Sequence, residues 1–458
     1  MSMQQKGVTV SEQLADVIVA LPRTTPPAMA VLCQSLLIDV AGICMSARHT
    51  DFVRATLAGT DEAGTCTVIG QADQRSIAMA ALCNGTAAHG EDFDDTYEGG
   101  PVHLGAVVVP ALLAAAEQHK LSGADVGLGI AVACEVICRM CLVAPKLVHN
   151  AGFHPTAVFG TIGAAAGVGA ALGLNKQQLV HAMGIAGSMS SGIIEYLAEG
   201  SWTKRMHPGW SAQSGYRAAR MAQAGFVGPR TMFEGDHGFF HAFAHTRDGD
   251  FAAMLDGFGK RWVAADIAFK PYACGTMAHP FIDCARQLVA DGLNPADIES
   301  IECETAEGIL PRLWEPLANK QNPPNRYAAK FSVPYAIAVG MLRGDAGLRE
   351  YQEDVVQDPT VRALAGKIHY VVDPDNPYPK QFTGHLRVTL RNGEVREARQ
   401  GFFRGGRDAP LAMDELLNKF RSNCQYGGAS PTQAEELLRV VSGLLDARAI
   451  DLQALRNV

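Results

Sequence analysis

Apolar residues recur at three and four positions from Ser11 to Leu21 and again from Pro27 to Ser46, the spacing that lines one face of an α-helix. The period continues through Ser76–Gly90, Ala106–His119 and Gly123–Ala144, so the first half of the chain is predicted to be helical. In the last of these runs Glu135 and Arg139 stand one turn apart among apolar neighbours, which predicts an ion pair bracing a core. The uncharged run Thr156–Leu174 carries glycines at 163, 167, 169 and 173. Their GxxxGxGxxxG order, with no preceding strand and no Lys-Ser/Thr ending, predicts close helix packing and not a phosphate-cradling loop. With few large side chains to face lipid, the run is expected to be buried in protein and not in a membrane.

Near Ala264 the texture changes and strands begin to alternate with helices. A helix is expected over Met277–Ala290, a strand over Ile301–Thr305 and a helix over Lys330–Leu342. Strands are expected over Lys367–Val372 and His385–Leu390, with an Asn392-Gly393 hairpin turn before Glu394–Ala398. After Arg404-Gly405-Gly406-Arg407 the helical period returns in Ala412–Arg421 and Pro431–Leu445. The expected layout is therefore mainly α: a large all-helical domain from residues 1–266, completed by 408–458, and a smaller α+β domain over 267–407.

Length agrees, since 458 residues exceed what a single core usually serves. A net charge of -8 leaves no basic surface for nucleic acid. The eleven cysteines include a trio, Cys134, Cys138 and Cys141, at helical spacing, which predicts buried free thiols in a reducing cytoplasm over an iron-sulfur site. The opening MSMQQKGVTVSEQ lacks a basic region followed by an apolar stretch, so no signal peptide is expected and the localisation is read as cytoplasmic.

Candidate chemistry concentrates between Ala88 and Ala116, where five acids, His89, His103 and a Gly-Gly-Pro turn precede an uncharged Ala-rich run. A solvated turn with Asp95 or Thr96 capping a helix is one account. The other places His103 near a helix N-terminus, where anions bind well. His154, within Gly152-Phe153-His154-Pro155-Thr156, repeats that arrangement before the second Gly/Ala helix. Lys204, Arg205 and His207 cluster ahead of a helix running AQSGYRAARMAQAGF, where a bound polycarboxylate would offset their charge. His237, His241 and His245 have helical spacing but no companion carboxylate motif, which predicts a solvated helix end and no metal face.

Together these segments resemble the MmgE/PrpD family, which includes 2-methylcitrate dehydratases, cis-aconitate decarboxylases and iminodisuccinate epimerases. The family's His-x-x-Asp-Phe-Asp-Asp-Thr pattern is matched by His89-Gly90-Glu91-Asp92-Phe93-Asp94-Asp95-Thr96, and its following histidine and small-residue helix by His103 and Pro110-Ala111. The Gly-Phe-His-Pro segment at 152–155 and the Lys-x-x-His segment at 204–207 match as well. So does the central signature of Gly225–Pro229, Phe233-Glu234-Gly235 and Gly238-Phe239.

The resemblance implies the two-domain layout above, an active site at the domain junction, a homodimer, and a small-molecule di- or tricarboxylate substrate handled without a cofactor or metal. It implies His103 as principal acid/base, with Asp92 orienting it or its neighbour, and His154 as second proton carrier. Lys204 and Lys270 would clamp substrate carboxylates, His207 would support Lys204, and Thr96 would bond a carboxylate or hydroxyl. Which histidine moves the proton stays open at this level.

The expected reaction is that of a hydro-lyase resembling 2-methylcitrate dehydratase, acting at the carbon beside a carboxylate. In-family alternatives are an epimerase and a cis-aconitate decarboxylase; other classes are a metal-dependent hydrolase and a non-catalytic scaffold. The decarboxylase branch carries a histidine five residues after the Lys270 position, where this chain has Gly275. The methylcitrate branch has a longer, Trp-containing linker where this chain has residues 97–102.

Overall fold

The computed structural model describes residues 7–456, so part of the N-terminal stretch just considered lies outside the described residues. Contacts divide the chain into one unit of Met1–Ile267 with Leu416–Val458 and a second of Ala268–Glu415. The second unit runs past residue 407 to Glu415 because Arg404 pairs with both Asp283 and Glu415, and because Gly405 donates to the Ala409 carbonyl.

The first unit is helical: α1 (Val10–Ala20), α2 (Ala30–Ala47), α3 (Ile77–Gly90), α4 (Gly105–His119), α5 (Gly123–Val143), α6 (Pro155–Ala171), α7 (Lys176–Met189) and α8 (Thr203–Gln223). Local sequence sets several starts. Thr9 with Glu12, Ser122 with Asp125 and Asn175 with Gln178 form capping boxes at α1, α5 and α7, and Ser76 Oγ accepts from Met79 N at α3.

The small residues let helices approach backbone to backbone. A Cβ on Gly163 would lie 2.3 Å from Ile137 Cγ1, and one on Gly167 would lie 2.4 Å from the Gly129 carbonyl, so α6 is fitted to α5. The α3–α8 crossing is as tight, with Gly85 against Gly209. Two spans, Pro27–Ala47 and Gly123–Val143, are long and apolar enough to cross a membrane, but 78% and 94% of them are buried within the protein.

Two of the buried ion pairs among the described residues stitch helices of this unit to their neighbours. Glu135 and Arg139 pair on α5 as expected, and Arg139 also donates to the carbonyls of Ala253, Asp256 and Arg261 while Glu135 accepts from Val263 N and Ala264 N. With its charges and hydrogen-bonding groups so engaged, the pair can sit in an apolar interior. The second involves α11 (Met413–Tyr426), described with its neighbours below.

The second unit holds α9 (His279–Ala290), α10 (Val333–Arg343) and a four-stranded sheet of β1 (Ile298–Thr305), β2 (Ile368–Val372), β3 (Gly384–Leu390) and β4 (Val395–Gln400) in the order β2-β1-β3-β4. The β1–β2 pair is parallel, Ile301 facing Ile368, and the others are antiparallel, with Ile301 facing Val388 and Leu386 facing Ala398. Gly393, at φ 85°, closes the β3–β4 hairpin. α10 begins later than the apolar pattern, because Ser332 accepts from Tyr335 N and fixes the start.

Toward the C-terminus come α11 and α12 (Pro431–Ser442), followed by two short turns of helix at Leu444–Asp446 and Gln453–Leu455, and residues from Leu416 onward belong to the first unit. There Lys419 of α11 pairs with Asp39 of α2 at 2.7 Å and donates to the Phe93 carbonyl at 2.7 Å, tying the chain end to the acidic stretch.

Candidate active site

The acidic stretch is a reversal at the end of α3. Asp92 adopts φ 57°, a left-handed conformation that aspartate tolerates better than most residues, and the chain folds back so that Asp94 lies beneath the last turn of α3. There Asp94 Oδ2 accepts from His89 Nδ1 at 2.7 Å, both side chains being fully buried. Asp95 turns the other way, and its two oxygens accept from Leu104 N and Gly105 N at 2.8 and 2.7 Å. The helix N-terminus expected to receive a substrate anion is thus filled by the protein's own carboxylate. Burial, and then the charge of Asp94, push the Asp95 carboxyl up to about 7 against the pull of those two donors.

His103 stands just before α4. Its backbone N–H donates to Thr156 Oγ1 at 3.1 Å, and its Nδ1 lies 2.7 Å from the Asp95 carbonyl and 3.8 Å from Asp94 Oδ1. A carbonyl can only accept, so Nδ1 carries the hydrogen and Nε2 carries the lone pair of the neutral ring. The ring is 13% exposed, buried enough to be oriented and open enough to be reached.

His154 is the N-cap of α6, and its Nδ1 meets His207 Nδ1 at 3.1 Å. Two facing nitrogens share one hydrogen, so at least one of the two rings is neutral. Burial drives His154 well below the ordinary histidine range, helped by neighbouring His89, His207, Lys204 and His103; burial likewise takes His207 down to about 4. Tyr196 packs edge-on against both rings at 5.9 Å.

Lys204 and His207 lie inside α8, not ahead of it. The helix begins at Thr203 and runs through Pro208, whose missing N–H costs one early intrahelical bond without stopping the helix. Lys204 Nζ donates to Asp92 Oδ1 at 2.9 Å, so a cation at the unfavourable end of a helix is offset by a protein carboxylate.

Of the residues singled out from sequence, Asp92, His103, His154, Lys204 and His207 gather in the first unit, with altered pairings. Asp92 holds Lys204, His207 holds His154, and the contacts on the His103 ring run to Asp94 and the Asp95 carbonyl. Thr96 is half-buried in the two-residue strand Thr96–Tyr97. Lys270 is 2% exposed and lies in the second unit, on a buried segment leading to Tyr272, which is bonded to Asp283, Arg286 and Arg404.

Sequence reasoning assigned no role to His89, Asp94, Thr156 or Tyr196, although the first two stand in the acidic stretch it singled out. The signal for the first two was a histidine closing an apolar helix with an acid five positions later. The His89 ring sits 4.9 Å from that of His103 and 5.8 Å from that of His154, at the centre of the four imidazoles.

His207 also walls a pocket of about 460 Å³ lined by Ile193, Tyr196, Met206 and Trp210. A wider groove of about 1080 Å³, bounded by Glu12, Lys176, Arg230 and His237, contains none of the imidazole cluster.

Among the described residues, one group offers ligand atoms suited to a metal ion: His89, Asp94 and His103, within 4.8 Å of one another. The short His89–Asp94 bond commits one atom of each to the other, an arrangement suited to orienting a base. His237, His241 and His245 are exposed, and only His241 lies within the short helix Phe239–Ala244.

Similarity to known proteins follows the same segments. A model of the MmgE/PrpD N-terminal domain matches residues 12–252, and one of the MmgE/PrpD C-terminal domain matches residues 272–444. The cis-aconitate decarboxylase of Mus musculus is 30% identical over 389 residues, 83% of this chain and 78% of that protein. That of Homo sapiens is 30% identical over 393 residues, 83% and 79% of the two chains. The 2-methylcitrate dehydratase of Cupriavidus necator is 24% identical over 267 residues, 55% of this chain and 54% of that protein.

Proposed function

Since this chain belongs to the MmgE/PrpD family, we propose that it is a cofactor-independent lyase acting by proton transfer at the carbon beside a carboxylate of a di- or tricarboxylic acid, in the hydro-lyase sense. The observation that carries the chemistry is the fixed tautomer of His103, whose Nδ1–H is spent on the Asp95 carbonyl so that Nε2 presents a base.

Removing a proton beside a carboxylate builds negative charge on the substrate. The Lys204 ammonium, positioned by Asp92, is the preorganised partner for that charge in the first unit. Lys270 is proposed as a second carboxylate clamp and Thr96 as a hydrogen-bonding contact. His154 is the second proton carrier: buried and neutral at rest, it becomes a strong acid once protonated, suited to protonating a departing hydroxyl. His207 fixes the tautomer of His154.

A decarboxylating reading is favoured by the relatives that align over more of the chain. Against it stands Gly275, where φ -59° and ψ 127° suit any residue and the nearest atoms to a Cβ are 3.4 Å away or more. The backbone would accept the histidine of that branch, and this chain does not carry it. We propose a cytoplasmic homodimer as the working form.

The deciding experiment is proton NMR in heavy water with 2-methylcitrate, citrate, cis-aconitate, malate, tartrate and aspartate-derived imino acids. Hydroxyl loss with exchange beside a carboxylate, abolished in His103→Gln, is the expected result. Loss of carbon dioxide instead would move the protein to the decarboxylase branch, and folded protein inert to every compound would overturn the reading.

A further inference from the structure

His89 has no place in the roles just given, yet it occupies the middle of the cluster. Its side chain is fully buried and its Nδ1–H is committed to Asp94, while Nε2 is a buried atom with no hydrogen-bond partner in the structure. An unpaired buried polar atom is costly, and one persisting among reactive groups calls for a use. The His89 ring centroid lies 4.9 Å from that of His103 and 5.8 Å from that of His154. Rings this close put their nitrogens within reach of one another for proton transfer, directly or through one bridging water.

The two-histidine scheme also leaves a gap. His103 ends the first half of an elimination holding a proton. His154 begins the second half needing one, because a neutral imidazole cannot act as acid without becoming an anion. We propose that the Asp94-backed His89 is the relay that carries this proton from His103 to His154 within each turnover. The inference rests on the proposed function above.

Each transfer balances. The substrate C–H bond breaks, its proton goes to His103 Nε2, and its electron pair moves into the carboxylate-conjugated system. His103 passes the proton to His89 Nε2, where the imidazolium faces the Asp94 carboxylate. From there it reaches His154 Nε2, His154 keeping its Nδ1–H toward His207. His154 then protonates the hydroxyl as the C–O bond breaks, the electron pair held in the carboxylate system closes the carbon–carbon double bond, water leaves, and all three histidines are neutral again. The relay needs no proton from bulk solvent and no further reactant.

The test compares carbon-hydrogen exchange with elimination in one proton NMR experiment in heavy water, using whichever acid the wild type turns over. Exchange needs only His103, whereas elimination needs the relay. In His89→Gln, and in the near-isosteric Asp94→Asn should the first variant fold poorly, the ratio of exchange to elimination should rise about tenfold or more, within the range of general acid–base effects. His154→Gln should show the same signature, and His89→Gln/His154→Gln should be no slower at elimination than the slower single variant, as for residues acting as one unit.

Added imidazole restoring elimination in His89→Gln would support the relay. Exchange and elimination falling by the same factor would assign His89 a merely structural role and overturn it, as would an unchanged ratio. Wild-type protein that neither exchanges nor eliminates would overturn the proposed function, and the relay with it, whereas a working wild type with unaltered partition in the variants overturns the relay alone.

Discussion

Gly85 of α3 and Gly209 of α8 meet backbone to backbone: a Cβ on Gly85 would lie 2.4 Å from Gly209 Cα, and one on Gly209 would lie 2.1 Å from the Leu82 carbonyl. This contact sets the distance between the helix that ends in His89 and the helix that carries Lys204 and His207. A methyl group has no flexible side chain to displace there, so the helices themselves must separate. Gly209→Ala is expected to lower stability by about 3 kcal/mol, the scale of core overpacking. Urea midpoints should fall with an unchanged denaturant slope, and activity at temperatures where the variant is folded should fall too. Wild-type behaviour in both would show that the crossing is looser than described.

His103→Gln removes the lone pair while keeping the side chain's length and polarity. The expected loss is about 10²- to 10⁴-fold in kcat/KM, as for removal of a general base. Carbon-hydrogen exchange should vanish with it, and a variant that still exchanged would point to another base.

Lys204→Met takes away the cation and leaves Asp92 facing a methyl-terminated chain. The expected loss is about 10²-fold in kcat/KM, carried by both kcat and KM if the ammonium meets substrate charge before and after proton removal. Lys204→Arg should recover part of it. Full activity in Lys204→Met would reduce the Asp92–Lys204 pair to a helix-end brace.

Acid stability separates the histidines from Asp95. His207 is held down to about 4 in the fold, so from the unfolded value of 6.5 downward the unfolded chain takes up the proton first and stability is lost as pH falls. That shift corresponds to about 3 kcal/mol between pH 6.5 and 4. Asp95 acts oppositely: with its carboxyl pushed up to about 7, its contribution is intact near pH 4 and is lost as pH rises toward 7. The stability of wild type relative to His207→Asn should therefore increase from pH 4 to pH 7, measured by denaturant titration across the range. Parallel curves would contradict a buried, neutral His207.

Gly275→His tests the branch. The backbone there suits any residue and a Cβ would meet Phe331 and Leu313 at ordinary contact distances, so the variant is expected to keep the fold, checked by its circular dichroism and melting curve. Release of carbon dioxide from cis-aconitate, absent in the parent and gained by the variant, is the outcome that makes this position a determinant of reaction type. Carbon dioxide release by the parent would show that the histidine is dispensable.

The helices and their packing were legible because their cause is local. Gly163 and Gly167 pack against α5, and Glu135 and Arg139 pair on one face, as helical spacing dictates. The acids were legible as a group but not one by one. Asp92 sits at positive φ, so successive side chains leave the turn in unrelated directions: one to Lys204, one to His89 and one to the start of α4. No periodic rule reaches across such a reversal. His89 was visible in that stretch but its partner was not, since an apolar helix gives no sign of which carboxylate its buried end meets. The Lys204 segment was placed before its helix because Pro208 looks like a stop, whereas near a helix start the lost N–H is tolerated.

The buried thiols have a consequence outside catalysis. All eleven cysteines are free and buried, spread from Cys33 to Cys424, and burial pushes those at 33 and 66 up to about 12. A thiol-alkylating reagent therefore has nothing to react with on the closed molecule and marks only chains that have opened. Each cysteine becomes a timer for its own neighbourhood, and the order in which they are marked would map which parts of the fold breathe and how often.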